Sequence, residues 1–193
     1  VRFAPHLPWR DANVVKRLSL LLPCPLQLEH DANSAAWGEY RFGAARGADN
    51  WVLFALGTGI GGAMMQGGEI YRGAYGTAPE FGHLTVVPDG RPCSCGKRGC
   101  LERYCSGTAL VTTAQELSES GRYFSRLTDG LVAGSVTGTD VVSAARQGDE
   151  LALAAIDDFA TWLGRGLSMV GDVFDPELIV IGGGVASASD LYL

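Results

Sequence analysis

The segment from Glu80 to Glu102 constrains the fold of this chain more than any other. It holds one histidine and three cysteines: His83, Cys93, Cys95 and Cys100. One imidazole and three thiolates form a closed tetrahedral zinc shell, the structural kind that leaves no open coordination position. Gly96 and Gly99 allow the tight turns that would bring the thiolates to one ion. The spacing therefore predicts a structural zinc site, with a disulfide or plain reduced thiols as the alternative.

Two carboxylates, Glu80 and Glu102, lie at the two ends of this segment. A zinc ion with a complete shell needs neither of them. Carboxylate oxygens accept hydrogen bonds from hydroxyl groups, so a pair held in place by a metal suits recognition of a polyhydroxylated ligand. The alternative is that both acids lie on the solvated surface, where most glutamates are found.

The composition narrows the class of protein. The 193 residues are 47% hydrophobic with a net charge of -6, enough for one sizeable core or for one domain and part of another. The acidic balance, without a basic stripe, gives no support for nucleic-acid binding. No apolar run is long enough to cross a bilayer, and the metal-type cysteines with no leader predict a cytoplasmic protein. Val1 in place of an initiator methionine is interpreted as the start of a fragment.

The first glycine-rich turn follows a predicted buried strand, Trp51–Leu56. Gly57, Gly59 and Gly62 match a dinucleotide fingerprint by spelling, with Thr58 between the first two, but a strand-like run follows where that fingerprint requires a helix. The run is better interpreted as a β-hairpin whose backbone N–H groups and threonine hydroxyl face a phosphate, since successive N–H groups form an anion-binding concavity. The alternative is an ordinary tight hairpin.

A second glycine turn, Gly182 to Gly184, follows the predicted buried parallel strand 178–181 and also suits a nucleotide, although a simple strand-to-helix turn is the alternative. Asp31 lies between a strand end and a helix start, where α/β proteins place catalytic residues, so it is a candidate general base. Its alternative role is N-cap of the following helix, shared with Asn33 as a candidate.

The remaining predicted elements place these motifs in an α/β order. They are a helix 12–22 capped by Asp11, a strand 26–28, a helix 33–46, a third hairpin strand 69–73, a strand 84–87 that returns to the sheet, a helix 109–118 capped by Thr108, a mobile connector 121–138, a helix 140–146 capped by Thr139 and a buried helix Glu150–Phe174.

Four of these motifs together resemble those of the ROK family, which contains repressors, uncharacterised reading frames and sugar kinases. They are Glu29-His30-Asp31-Ala32-Asn33, Leu56-Gly57-Thr58-Gly59-Ile60-Gly61-Gly62, Glu80-Phe81-Gly82-His83 and the run from Cys93 to Glu102. The resemblance extends over nearly the whole chain and is strongest to bacterial sugar kinases that act on glucose. It implies ATP-dependent phosphorylation of glucose, or a related hexose, at the 6-hydroxyl.

The resemblance also implies an actin-like ATPase fold of the hexokinase type, with two α/β lobes around a cleft. Residues 1–31 would be the tail of the small lobe and the hinge, and residues 32–193 most of the large lobe. The large lobe would contain the cysteine loop, which we define as residues 83–100. Family members are expected to form dimers or tetramers.

Roles for individual residues follow from the same resemblance. Asp31 would take the proton from the sugar hydroxyl. The sugar would be bound by His30, Asp31, Glu80, His83 and Glu102, with one ring nitrogen of His83 on zinc and the other on the sugar. The nucleotide phosphates would contact Gly57, Thr58 and Gly59, and the adenosine would lie near Gly182, Gly183 and Gly184. Mg²⁺ would travel with ATP, since phosphates usually hold it.

The chain departs from the family pattern at two places. His30 stands where the family has an asparagine that touches the sugar, so sugar affinity or preference is expected to differ. The family's first phosphate motif, Asp-x-Gly-Gly-Thr, is absent, as is the C-terminal helix that returns to the small lobe. These 193 residues alone are therefore predicted to bind zinc but to turn over little or no substrate.

Other functions remain open from the sequence. The main alternative is a sugar-responsive repressor of the same family, with its helix-turn-helix preceding Val1; His30 favours it, whereas Asp31-Ala32-Asn33 and the intact glycine turn favour a kinase. Within the kinases, the acceptor could be N-acetylglucosamine, mannose or fructose, and the donor polyphosphate. A purely structural zinc module would leave Asp31 and the phosphate turns unexplained.

Overall fold

The computed structural model describes residues 10–193; the first nine residues of the predicted small-lobe tail lie outside this range. The helices are α1 (Val14–Leu18), α2 (Asp31–Phe42), α3 (Gly107–Glu119), α4 (Thr128–Val132), α5 (Gly138–Arg146) and α6 (Glu150–Phe174). The strands are β1 (Trp51–Leu56), β2 (Ile60–Gln66), β3 (Glu69–Ile70) and β4 (Leu178–Gly182). Three 3-10 helices cover Phe81–His83, Leu101–Arg103 and Gly184–Leu191.

The four strands form one mixed sheet in the order β3-β2-β1-β4. The glycine-rich hairpin is confirmed, because β1 and β2 pair antiparallel with Leu56 opposite Ile60. The predicted parallel strand is also confirmed, since β4 pairs with β1 and places Gly182 opposite Ala55. Both glycine turns therefore lie at the same edge of the sheet.

Alternation along β1 explains why this strand is buried on both faces. Val52, Phe54 and Leu56 point into a core cluster with α3, α5 and α6, whereas Trp51 and Leu53 pack into a second cluster with α2. Successive side chains of a strand point to opposite faces, so a strand covered on both sides is apolar throughout. The sheet thus separates α2 from α3, α5 and α6.

Helix α6 has the predicted bounds. Asp149 caps its first turn by accepting a hydrogen bond from the Ala152 amide (3.1 Å), and Asp175 ends it with a left-handed backbone, φ 45°. Side chains on its inner face, such as Leu151, Phe159 and Leu163, are buried at helical spacing. Val173, on its outer side, is exposed. The helix therefore covers one face of the sheet and exposes its other side.

Several predicted boundaries near the start of the chain are wrong. The helix predicted for 12–22 is only α1, and Asn13 rather than Asp11 caps it, because the Asn13 side chain reaches the Lys16 amide (2.9 Å). Residues 26–28 form no strand in the structure. Helix α2 begins at Asp31, with His30 as an N-cap that makes no side-chain capping bond, and it ends at Phe42 with Gly43.

The predicted strand 84–87 does not join the sheet. Its backbone bonds instead to the end of the cysteine loop, since the Val86 amide donates to the Gly99 carbonyl (2.8 Å) and the Leu101 amide donates to the Leu84 carbonyl (2.8 Å). Leu84 and Val86 still pack against the core. The strand-like run thus pairs locally with the backbone at the end of the cysteine loop and not with the sheet.

Two helix caps and one connector also differ from the sequence prediction. Ser106, not Thr108, caps α3 through the Ala109 amide (3.1 Å), and Thr137, not Thr139, caps α5 in a capping box with Asp140. Each cap falls two residues before the predicted one, because the earlier hydroxyl reaches the third helical amide. The predicted connector 121–138 contains α4, which buries Leu131. Among residues 10–193, no helix is long and apolar enough to cross a membrane.

Candidate active site

The structure brings together the four predicted metal ligands at the cysteine loop. The donor atoms of His83, Cys93, Cys95 and Cys100 all lie within 4.8 Å of one another. The Cys93 sulfur lies 3.6 Å from His83 Nδ1, and the Cys95 and Cys100 sulfurs lie 3.6 Å apart. Within the described residues all five cysteines are free thiols, which argues against the disulfide alternative.

This donor set fits a zinc ion on geometry and chemistry. A tetrahedral shell with Zn–S bonds of about 2.3 Å places its ligand atoms about 3.7 Å apart, close to the two separations observed. Burial raises the pKa of the Cys93 thiol to about 12, so an isolated thiolate is unfavourable there. A bound cation reverses that preference by stabilising the thiolate. The cluster is therefore a candidate metal centre whose chemistry matches Zn²⁺.

Glu102 lies beside the candidate metal ligands. Its carboxylate Oε1 accepts a hydrogen bond from the Cys93 thiol (3.0 Å) and lies 3.6 Å from His83 Nδ1. The side chain is 11% exposed, so most of its surface is in contact with protein. The Leu101–Arg103 helix that carries it is held against α6, where Gly166 leaves room for the buried Leu101 side chain.

His30 links two other predicted site residues. Its Nδ1 lies 3.6 Å from Asp31 Oδ1, and its Nε2 lies 3.9 Å from Glu80 Oε1. Asp31 also accepts a hydrogen bond at Oδ1 from the Ala32 amide (2.9 Å), and its side chain is 98% exposed. Asp31 is thus a first-turn residue of α2 and not its N-cap, which leaves its carboxylate open to a ligand.

Glycines in the hairpin let these segments approach one another. A Cβ on Gly61 would lie 3.3 Å from the Ala32 side chain at the start of α2. A Cβ on Gly62 would lie 2.7 Å from the ring of Phe81, a residue in the same short helix as His83. A Cβ on Gly59 would lie 2.7 Å from Glu102 Oε2. The first residues of α2, the His83 helix and Glu102 therefore all pack against the same hairpin.

The two predicted phosphate turns lie side by side. Gly183, with φ 89°, packs against the Leu56 backbone so closely that a side chain there would strike it. Sequence reasoning missed a third element at this point, the N-terminus of α3. The Gly107 amide donates to the Gly57 carbonyl (2.8 Å), and the Thr108 hydroxyl donates to the Thr58 carbonyl (2.8 Å). The sequence offers two candidate caps here, Ser106 and Thr108, and their shared chemistry does not show which of them begins the helix.

A second feature missed by the sequence analysis is a hydrogen-bonded cluster of Glu29, Asn33 and Arg72, which we call the Glu29 hub. Its carboxylate accepts hydrogen bonds from Asn33 Nδ2 (2.9 Å) and from Arg72, whose Nη2 lies 2.6 Å away. These bonds, first that from Asn33 and then that from Arg72, lower the pKa of Glu29 to about 2. Glu29 and Arg72 also line a surface pocket of about 480 Å³ beside Trp37. The hub ties the chain before Asp31 to the end of β3.

A comparison with known protein families matches the ROK family over residues 1–193. The chain belongs to the ROK family. Its α/β architecture matches solved ROK glucokinases, which have the actin-like ATPase fold of the hexokinase type, so the predicted fold class is confirmed. The described residues, 10–193, include all four motifs on which the resemblance rests.

Relatives in the ROK family include both enzymes and regulators. A glucokinase from Streptomyces coelicolor is 40% identical over 197 residues, covering 100% of this chain and 62% of that protein. The crystal structure of a ROK family glucokinase from Streptomyces griseus in complex with glucose and AMPPNP is 40% identical with a TM-score of 0.88, covering 100% of this chain and 63% of that one. The xylose repressor of Bacillus subtilis is 30% identical, covering 99% of this chain and 46% of the repressor. The chain thus spans about three fifths of the length of the glucokinases that it matches.

Proposed function

We propose that this chain belongs to an ATP-dependent hexose kinase that phosphorylates glucose at its 6-hydroxyl. The observation that carries the proposal is the packing around one hairpin, where the start of α2, Glu102 and the Gly183 turn all touch β1, β2 or the turn between them. The 40% identity to glucokinases and the likeness to a structure holding glucose and an ATP analogue support the same reaction.

Asp31 is proposed as the general base. Its exposed carboxylate, at the start of α2, would accept the proton of the sugar 6-hydroxyl. The resulting oxygen attacks the γ-phosphorus of ATP, the bond from that phosphorus to the bridging oxygen breaks, and ADP leaves with the electron pair. Phosphoryl transfer depends mostly on positioning and charge stabilisation, so the surrounding residues hold the two substrates in line.

The sugar would be held by His30, Glu80, His83 and Glu102. Carboxylate oxygens accept hydroxyl hydrogen bonds, and each neutral imidazole can donate or accept one bond per nitrogen. His83 would use one nitrogen for the metal and the other for the sugar. A Zn²⁺ ion bound by His83, Cys93, Cys95 and Cys100 would be structural, holding the cysteine loop and, through it, Glu80 and Glu102.

The nucleotide would lie at the two glycine turns. Gly57, Thr58 and Gly59 would contact the phosphates through the amides of Thr58 and Gly59, since the Gly57 amide already donates to the Gly59 carbonyl (2.9 Å). Mg²⁺ would be bound mainly by the ATP oxygens. Gly182, Gly183 and Gly184 would lie near the adenosine. The N-terminus of α3 adds a partial positive charge next to Gly57 and Thr58, which favours an anion there.

The domain assignment follows the same reasoning. We assign residues 1–31 to the end of the small lobe and the hinge, and residues 32–193 to the large lobe with the cysteine loop. A cytoplasmic location and a homo-oligomeric state are part of the proposal, in keeping with an enzyme that uses ATP and reduced thiols.

ADP release from ATP and Mg²⁺ tests the proposal, with glucose, mannose, fructose and N-acetylglucosamine offered in parallel. The assay is run on the 193-residue chain and on the longest protein that its gene encodes. Asp31→Asn is expected to lower turnover by about 10²- to 10⁴-fold, the range for loss of a general base, while glucose binding and zinc content stay near wild type. Near-normal turnover of the variant would show that Asp31 is only a first-turn helix residue.

A sugar-responsive repressor is the second candidate, favoured by His30 and by the similarity to the Bacillus subtilis xylose repressor. A repressor would bind sugar without releasing ADP from ATP. Turnover with one preferred hexose therefore supports the kinase, whereas sugar binding by a zinc-loaded protein with no turnover supports the repressor.

A further inference from the structure

Gly59 occupies a different position from the other residues of its turn. An ideal Cβ on Gly59 would lie 2.7 Å from Glu102 Oε2, a separation that real side chains do not tolerate. A Cβ on Gly57 would meet no atom within 4 Å among the described residues. Neither glycine has a positive φ, so neither adopts the left-handed backbone that disfavours other residues. The need for glycine at position 59 therefore comes from its neighbour and not from its own backbone.

The neighbour is a carboxylate whose two oxygens have different surroundings. The hydrogen bond from Cys93 (3.0 Å) and the approach of His83 Nδ1 (3.6 Å) both involve Oε1. The other oxygen, Oε2, is the atom that lies over Gly59. Oε1 of Glu102 thus faces Cys93 and His83, and Oε2 lies over Gly59.

We propose that Gly59 is a positioning residue for the sugar site: its missing side chain leaves the space in which the Glu102 carboxylate meets the sugar. This inference rests on the proposed function. The turn then has two roles. Gly57 and Thr58 contact the nucleotide, whereas Gly59 also determines the position of the Glu102 carboxylate that binds the sugar. The hairpin turn then couples the two substrates, since the same turn fixes an oxygen for the sugar and amides for the phosphates.

Gly59→Ala tests this role without breaking the fold. The clashing atom is the end of a flexible side chain, so the carboxylate can move while the strands stay paired. In a crystal structure of the variant, Glu102 Oε2 is expected to leave its place over residue 59. In the matched control Gly57→Ala, Glu102 is expected to keep its position. A variant structure with Glu102 unmoved would overturn the proposal.

Glucose binding, measured by calorimetry, separates this role from a general effect of the extra methyl group. Gly59→Ala is expected to raise the glucose dissociation constant by about tenfold or more, the loss typical of a displaced charged hydrogen-bond acceptor. In a Glu102→Ala background, where no carboxylate remains to be displaced, Gly59→Ala is expected to change that constant by less than about twofold. Equal effects in both backgrounds would overturn the proposal.

The same measurements distinguish failure of this inference from failure of the proposed function. A wild-type protein that binds no glucose would contradict the proposed function, while the position of Glu102 in the Gly59→Ala structure still tests the steric role. Wild-type glucose binding that Gly59→Ala leaves unchanged would contradict this inference and leave the kinase assignment intact.

Discussion

The sheet core and the cysteine loop hold two sides of one site by different means. The sheet core, made of β1, β2, β4 and α6, is held by buried apolar side chains such as Phe54 and Leu163, both 1% exposed or less. Between residues 84 and 100, the cysteine loop contains only isolated β-bridges, Thr85 with Cys100 and Pro92 with Arg98. The sheet core is therefore held by burial, whereas the loop is expected to depend on the candidate metal cluster.

Arg91 gives the cysteine loop one further attachment. Its guanidinium donates to the Arg103 carbonyl (2.6 Å) and to the Thr113 hydroxyl (3.0 Å), and its amide donates to the Tyr104 hydroxyl (2.7 Å). These bonds anchor the middle of the loop to α3 and to the chain after Glu102. Loss of the metal is therefore expected to loosen residues 93–100 more than the backbone near residue 91.

The largest expected effect breaks the sheet core. Phe54→Ala removes a fully buried ring that stacks on Phe81, with ring centres 5.0 Å apart. The loss should lower the free energy of unfolding by about 3–5 kcal/mol, from lost burial and the cavity left behind. Denaturant unfolding measures the change.

The matched control for this substitution is Phe124→Ala, since the Phe124 side chain is 95% exposed. It is expected to stay within about 0.5 kcal/mol of wild type. If both substitutions lower the free energy of unfolding equally, burial of Phe54 does not stabilise the sheet core.

The sheet core is also the part of the fold that sequence could predict. A continuous run of apolar residues gave the bounds of β1, and a long apolar stretch gave the bounds of α6. The capping residues of α3 and α5 were wrong, because Ser106 and Thr108, or Thr137 and Thr139, have equal chemistry. Which hydroxyl reaches the third amide depends on backbone position, and no pattern of residue types encodes it.

The next expected effect separates the cysteine loop from the sheet core. Cys95→Ser removes one ligand of the cluster, so bound zinc is expected to fall from one per chain to a small fraction. Through His83 and Glu102, glucose affinity should fall about 10- to 100-fold, as when groups that orient a metal site are lost. Elemental analysis and calorimetry provide the two measurements.

Hydrogen exchange sharpens the same comparison. In Cys95→Ser, amides of residues 93–100 should exchange faster, whereas amides of β1 should keep wild-type protection. Cys24→Ser is the control, because Cys24 is exposed and lies outside the cluster. Faster exchange throughout β1 would mean that the metal holds the sheet core as well as the loop.

The candidate site was predictable where residue types alone carry the chemistry. Cysteine and histidine spacing predicted four candidate metal ligands, and the structure brings those four side chains together. The contact of Gly59 with Glu102 could not be read from sequence, since 43 positions separate them and only packing brings them together. The Glu29 hub was missed for the same reason, because its partner Arg72 lies far along the chain, two residues after the end of β3.

The smallest expected effect concerns this hub, which joins the sheet core to the chain before Asp31. Arg72→Met removes a salt bridge to Glu29 but leaves the hydrogen bond from Asn33. Arg72 is 45% exposed, so the variant should lose no more than about 1 kcal/mol at neutral pH.

The pH dependence of this loss has a defined sign. The pKa of Glu29 is lowered from 4.5 to about 2 in the folded protein, so its stabilising contribution is complete above pH 4.5 and is lost as the pH falls towards 2. The difference in unfolding free energy between Arg72→Met and wild type should therefore shrink across that window. Urea unfolding at a series of pH values measures it, with Arg46→Met, at an exposed arginine without an ion pair among residues 10–193, as the control. A difference that stays constant down to pH 2 would show that Arg72 acts through packing of its aliphatic chain and not through the charge on Glu29.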